Sequence, residues 1–245
     1  MAERVVLITG GARGIGREIG LTLAARHWSV AVCYRTSVQA AEETAAAMAE
    51  RGAPRTKAVQ CDVSEPEAAE GFIRTAEADW GRIDALINCA GPYHRVDLLD
   101  ETPEGWLSMF ANNLHPVFYC ARAVAPGMKE RRWGRIVSFS MATADRISAQ
   151  PQITAHFIAK SGILVLTRSL ARLLAPYGIT VNAISPGFIA SGSAPPEELQ
   201  SMVKNIPAGH LGSTQDAAGV TSFLLSEEAR YVTGANIHVS GGWGL

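Results

Sequence analysis

Cysteine is scarce. The 245 residues hold four, Cys33, Cys61, Cys89 and Cys120, scattered and never at CxxC spacing. That pattern excludes a disulfide framework and a zinc ribbon, no metal site is expected, and the thiols read as reduced and buried in a cytoplasmic protein. Excess charge is missing too: 22 Lys and Arg against 23 Asp and Glu leave a net charge of −1. No bulk field draws the chain to nucleic acid or to an anionic membrane, so any anion must be bound locally. No apolar run approaches ~18 residues, and the start, MAERVVLITGG, reaches glycines after a short apolar stretch. Neither a signal peptide nor a membrane span is expected. Repeats and low-complexity tracts are absent, and the one Pro- and Gly-rich break, Gly187 to Pro196, is too short to link independent domains. A single domain over 1–245 follows, long enough to bury about seven-tenths of its surface without staples.

What the sequence does have is alternation. Strand-length apolar runs alternate with stretches of helical period, the pattern of βαβ units building a parallel sheet. Seven strands are read: Val5 to Thr9, Val30 to Tyr34, Lys57 to Cys61, Ile83 to Asn88, Arg135 to Ser140, Ile179 to Ile184 and Asn236 to Ser240. Their Val and Ile content suits strands covered on both faces. The fold class is therefore α/β, a doubly wound, Rossmann-like parallel sheet of about seven strands in a single domain. Ser64 and Glu67 form an SxxE capping box ahead of a helix, and Pro66 suits its first turn. Lys160 to Leu174 is apolar around most of its circumference. Either it is deeply buried or one face meets a second copy in a homo-oligomer, a dimer or tetramer.

The first strand runs into TGGARGIG, which sets Gly10, Gly14 and Gly16, with Ile15 between them, in a turn that opens a helix. Bare backbone there lets a pyrophosphate approach, and the helix start offers free N–H groups and a positive dipole end. At the end of the second strand an acid would bind a ribose 2′-hydroxyl, but this chain has Tyr34 followed by Arg35. Arg13 can converge on the same place, and two guanidiniums suit a 2′-phosphate, favouring NADP(H) over NAD(H). The bland alternative leaves both arginines as solvated surface residues.

These residues resemble the short-chain dehydrogenase/reductase family along nearly the whole chain. TGGARGIG looks like the family's glycine turn, Asp62 and Val63 in CDV like its adenine-side motif, and Asn88, Ala90 and Gly91 in NCAG like its NNAG. Pro186, Gly187 and Ile189 look like the PG segment facing the nicotinamide, and Asn113 like the supporting Asn. The tail is similar to the 3-oxoacyl-acyl carrier protein reductase branch. The resemblance implies reduction of a small-molecule carbonyl by hydride from the nicotinamide, with a Tyr giving the proton, a Ser holding the oxygen, and a Lys and an Asn in support.

Lys160 fits the Lys position, where it would also touch the cofactor. Four residues earlier, however, the family's Tyr is replaced by His156, and its Ser by Met141. Ser140 and Thr143 are comparable substitutes for the lost hydroxyl. Lys160 disfavours an imidazolium, so His156 should be neutral at pH 7 and a poor acid, serving either as a relay or as a space-filler. Tyr93, after NCAG, could supply a phenol or merely wall a pocket, with His94 beside it. Asp145 and Arg146 could contact substrate or be solvated. Two functions are carried forward: an NADP(H)-dependent oxidoreductase with a modified proton pathway, and a weak or silent NADP(H)-binding partner subunit.

Overall fold

The computed structural model describes residues 3–192 and 196–245. Seven parallel strands lie in the order β3-β2-β1-β4-β5-β6-β7. They are β1 (Val5–Thr9), β2 (Ser29–Tyr34), β3 (Thr56–Gln60), β4 (Ala85–Asn88), β5 (Gly134–Phe139), β6 (Ile179–Pro186) and β7 (Asn236–Val239). β1, β4 and β5 are buried along their whole lengths, because helices cover both faces of the sheet. On one face lie α3 (Pro66–Trp80), α5 (His115–Arg131) and α6 (Thr154–Leu174), with Phe72, Ile73, Val124 and Leu174 packed on Leu7, Leu86 and Ile136. On the other, α1 (Gly14–Ala24), α2 (Val38–Glu50) and α8 (Thr214–Leu224) bring Ile19, Leu23, Met48 and Leu224 against Val6, Ile8 and Ile87. α4 (Pro103–Asn113) and α7 (Pro196–Met202) belong to the loops beyond the strands' carboxyl ends.

The chain leaves β1 for β2 and β3 on one side and resumes with β4 on the other. That reversal opens a crevice at the carboxyl ends of β1 and β4, where open α/β sheets take their ligands.

β1 has the ends read from the sequence, and the other strand ends differ from that reading by at most two residues. β4 starts at Ala85 because Asp84 turns its carboxylate to Val5 N at 2.9 Å and to the Arg82 guanidinium. The predicted capping box at Ser64 does not form. Glu65 is the N-cap residue, without a side-chain bond, and Ser64 instead donates through N and Oγ to Asp62 Oδ1, at 3.0 and 2.7 Å. An acceptor two residues back wins because it costs no further ordering. Pro66 opens the helix as expected.

Lys160 to Leu174 lies within α6 and is partly buried, partly exposed. Ile163, Leu164 and Ala171 are buried, whereas Val165 and Leu173 stay exposed, as do Phe118 of α5 and Leu107 of α4. In the Gly187–Pro196 break, positions 193–195 lie outside the described residues. Among the described residues no helix is long and apolar enough to cross a membrane, and no cluster of His, Cys, Asp and Glu could hold a metal ion.

Candidate active site

Two adjoining cavities share Gly91 across the crevice, a smaller one of about 270 Å³ over β1, β2 and β3 and a larger one of about 680 Å³ over β4, β5 and β6. The floor between them is bare backbone by necessity. Gly10 has φ of +69°, and a Cβ there would stand 2.9 Å from Ala90 Cα. A Cβ on Gly16 would stand 2.6 Å from Gly10 O, so the turn and the start of α1 close on each other. Arg13 sits at the N-cap of α1 in an extended conformation with no side-chain cap, and the first turn carries no acid. Its N–H groups are thus left to an anion, and the residues fit a dinucleotide pyrophosphate.

The smaller cavity is lined by Arg13, Tyr34, Arg35, Asp62, Val63 and Ala90 as the sequence suggested. Arg35 Nη1 donates to Asn112 Oδ1 at 3.0 Å and stands 3.9 Å from Asp62 Oδ2, which holds the guanidinium over the opening. Thr36 and Ser37 also line it. Sequence reasoning stopped one residue short of these hydroxyls, whose signal was simply their place after the arginine. Asn88 is a correction. It lines neither cavity, because it faces into the sheet and donates to Ser138 Oγ at 3.2 Å; Cys89 is the neighbour that reaches the larger cavity.

Ile15, Pro186, Gly187 and Ile189 line the larger cavity with Lys160, His156, Met141 and Tyr93. One side is closed by Phe188 and Trp243, ring centroids 4.6 Å apart. Lys160 is buried, and its Nζ donates to Phe139 O at 3.0 Å. Burial brings its pKa down to about 8. Asn113 is also buried behind Gly91: its amide donates to Pro92 O and Met109 O, and its Oδ1 has no partner. A Cβ at Gly91 would run into Asn113 Oδ1 and stand 3.2 Å from Lys160 Nζ, so the loop after β4 needs glycine to pass between them.

His156, which the sequence reading aligns with the family's Tyr, lies on α6, buried, with Nδ1 lacking a partner. Burial first, then the Lys160 charge, brings its pKa down to about 3, against a weaker upward pull from the Pro92 carbonyl. Its ring is neutral at pH 7, as expected, and cannot serve as an acid there. Both substitute residues, Ser140 and Thr143, line the larger cavity. Ser140 Oγ donates to Lys160 O at 2.8 Å, and Thr143 Oγ1 is buried without a partner on a backbone turned to φ of +73°. The Ser140 proton is thus spent on helix α6, whereas the Thr143 hydroxyl at the cavity wall is closed off from solvent. Asp145 turns outward to His238 Nε2 at 2.9 Å and His94 to Glu101 at 2.8 Å, which leaves Tyr93 facing the cavity from that loop. Arg146 is exposed and lines neither cavity.

Residues 10–244 match the family model described as Enoyl-(Acyl carrier protein) reductase. The chain is 33% identical over 245 residues to a 3-oxoacyl-[acyl-carrier-protein] reductase FabG of Haemophilus influenzae, covering 99% of this chain and 98% of that one. A solved structure described as a short-chain alcohol dehydrogenase from Sinorhizobium meliloti 1021 superposes with TM-score 0.92 at 34% identity, over 99% of this chain and 97% of the other. A blue fluorescent protein from a metagenomic library, in complex with NADPH, superposes with TM-score 0.92 at 30% identity, over 99% and 98%. With sheet order, glycine turn and crevice all in agreement, the chain belongs to the short-chain dehydrogenase/reductase family of oxidoreductases.

Proposed function

We propose that this oxidoreductase uses NADP(H) and reduces a small carbonyl compound. The observation that carries the cofactor preference is Arg35 at the end of β2, held over the smaller cavity with Arg13, Thr36 and Ser37 around it. Those groups would hold the 2′-phosphate, the uncapped start of α1 the pyrophosphate, and Ile15, Pro186, Gly187 and Ile189 the nicotinamide end. When bound, the cofactor supplies the hydride. The names of the relatives support a 3-oxoacyl compound, and the largely apolar wall of Met141, Phe188 and Trp243 suits an acyl chain. Lys160 keeps a positive charge beside the reacting carbonyl below about pH 8, which favours a developing alkoxide. Turnover is slow for the family, because His156 is neutral, Ser140 Oγ is bonded to Lys160 O and Thr143 Oγ1 is closed off from solvent.

A second reading, a weak or silent NADP(H)-binding partner subunit, is favoured by those same three residues. Following NADPH absorbance with a panel of ketones and 3-oxoacyl thioesters from pH 5 to 9 separates the two. Turnover of any member supports the reductase, and NADPH binding without turnover supports the silent subunit. We also infer a cytoplasmic homo-oligomer, its second copy covering the exposed apolar surface of Leu107, Phe118, Val165 and Leu173.

A further inference from the structure

We propose that Tyr93, on the loop after β4, is the proton donor of the reaction, replacing the phenol that α6 lacks. This rests on the carbonyl-reduction reading above. Tyr93 and His156 line the same cavity, and their rings meet edge to face, centroids 5.3 Å apart and planes at 88°. An imidazole at position 156 is shorter than a phenol, and the ring of Tyr93 stands against it. The loop that delivers Tyr93 is held at both ends. On one side Gly91 threads between Asn113 and Lys160, with the Asn113 amide donating to Pro92 O at 3.1 Å. On the other, Val96 N donates to Gln152 O at 2.9 Å and Leu98 N to Pro151 O at 2.8 Å.

The substitutes that the sequence offered are each a poor source of the proton. The His156 ring is neutral, Ser140 donates to a backbone carbonyl, and the Thr143 hydroxyl is buried. Among the described residues Tyr93 is the one phenol lining the cavity. Its side chain also solves the return of the proton: at 52% exposure the phenolate can be recharged directly from water. Lys160, in the same cavity, favours that phenolate while charged.

The step balances. The carbonyl carbon receives the hydride given up at C4 of the reduced nicotinamide, and the C=O π pair moves onto oxygen. That oxygen takes the Tyr93 Oη proton, and the O–H bonding pair stays on the phenolate. The carbonyl ends as an alcohol, the nicotinamide oxidised, and water then reprotonates Tyr93.

The test is Tyr93→Phe, which keeps the ring contact and removes only the hydroxyl. With butane-2,3-dione or ethyl acetoacetate as probe, kcat should fall roughly 10²- to 10⁴-fold while the NADPH Kd stays unchanged. The double variant Tyr93→Phe/His156→Tyr should recover part of that loss. A second readout needs no turnover. NADP⁺ places a positive ring where NADPH has a neutral one, so one phenol of the wild type should titrate about 1–3 pH units lower with NADP⁺ than with NADPH, by its phenolate absorbance. Tyr93→Phe should lack that transition. Wild-type kcat in Tyr93→Phe, or the same phenol titration with both cofactors, overturns the proposal. If the wild type binds NADPH yet reduces neither probe, the carbonyl reading fails instead, and the titration alone decides whether Tyr93 stands at the nicotinamide.

Discussion

The ring of Tyr93 stands at 88° to that of His156, their centroids 5.3 Å apart, on the wall of the larger cavity. His156 is buried and uncharged, while Tyr93 reaches solvent. On the proposal above, the two residues divide what the family places in a single tyrosine: one fills the space on α6, the other carries the hydroxyl.

The neutrality of His156 has a cost at low pH. Its folded pKa, about 3, lies below the ordinary value of 6.5. Below pH 6.5 the unfolded chain takes up a proton that the native state refuses, so stability falls as pH drops from 6.5 toward 3. By pH 5 this amounts to roughly 2 kcal/mol. His156→Phe should remove that component, so urea unfolding at pH 7 and pH 5 should show a smaller acid loss in the variant than in the wild type.

Lys160 works in the opposite pH range. Burial holds its pKa at about 8, below the ordinary 10.5, so the native state releases a proton that the unfolded chain keeps until higher pH. Stability therefore rises as pH goes from 8 to 10.5, and the charged form is a burden below 8. Lys160→Met should gain roughly 2 kcal/mol in urea unfolding at pH 7 and lose its stabilisation by alkali, while reduction becomes slower. In the wild type, the reduction rate should decline as pH rises through about 8.

Restoring the family's groups should accelerate the reaction. His156→Tyr with Met141→Ser returns a phenol to α6 and a hydroxyl to the end of β5, on the cavity wall where both parent side chains lie. In a Tyr93→Phe parent, which lacks the loop phenol, the expected gain in ketone reduction at pH 7 is at least tenfold, since a positioned acid contributes roughly 10²–10⁴. A variant that folds and binds NADPH but remains as slow as the parent shows that these positions do not face the reacting carbonyl.

Arg35→Asp places a carboxylate where the 2′-phosphate would lie. NADPH affinity should drop by two orders of magnitude or more, from the lost ion pair and the new repulsion of about 3 kcal/mol together, with NADH little changed. Fluorescence titration with both nucleotides reads the change.

Much of this architecture was legible in the sequence, because Val- and Ile-rich runs such as Val5 to Thr9 have one solution when helices must cover both faces. The glycine turn was legible for the same reason: Gly10 and Gly16 leave no room for a side chain. What depended on register was not. Asn88 and Cys89 are adjacent, yet only the second reaches the larger cavity, and a strand's parity is set by pairing with Ser138 rather than by local sequence. Ser140 and Thr143 could not be separated either, since one hydroxyl is claimed by Lys160 O, twenty positions away, and the other is closed off with the C-terminal segment packed against Thr143 at Gly244. The contact between Tyr93 and His156, on a loop and a helix far apart in the chain, carries no sequence signal.

In the proposed function, Arg13 and Arg35 make the smaller cavity a seat for a phosphorylated ribose. Dissociation constants of the wild-type protein for NADPH and NADH, measured side by side at one ionic strength by cofactor fluorescence, test it most directly. NADPH should bind at least tenfold more tightly; equal constants, or tighter binding of NADH, would contradict the account.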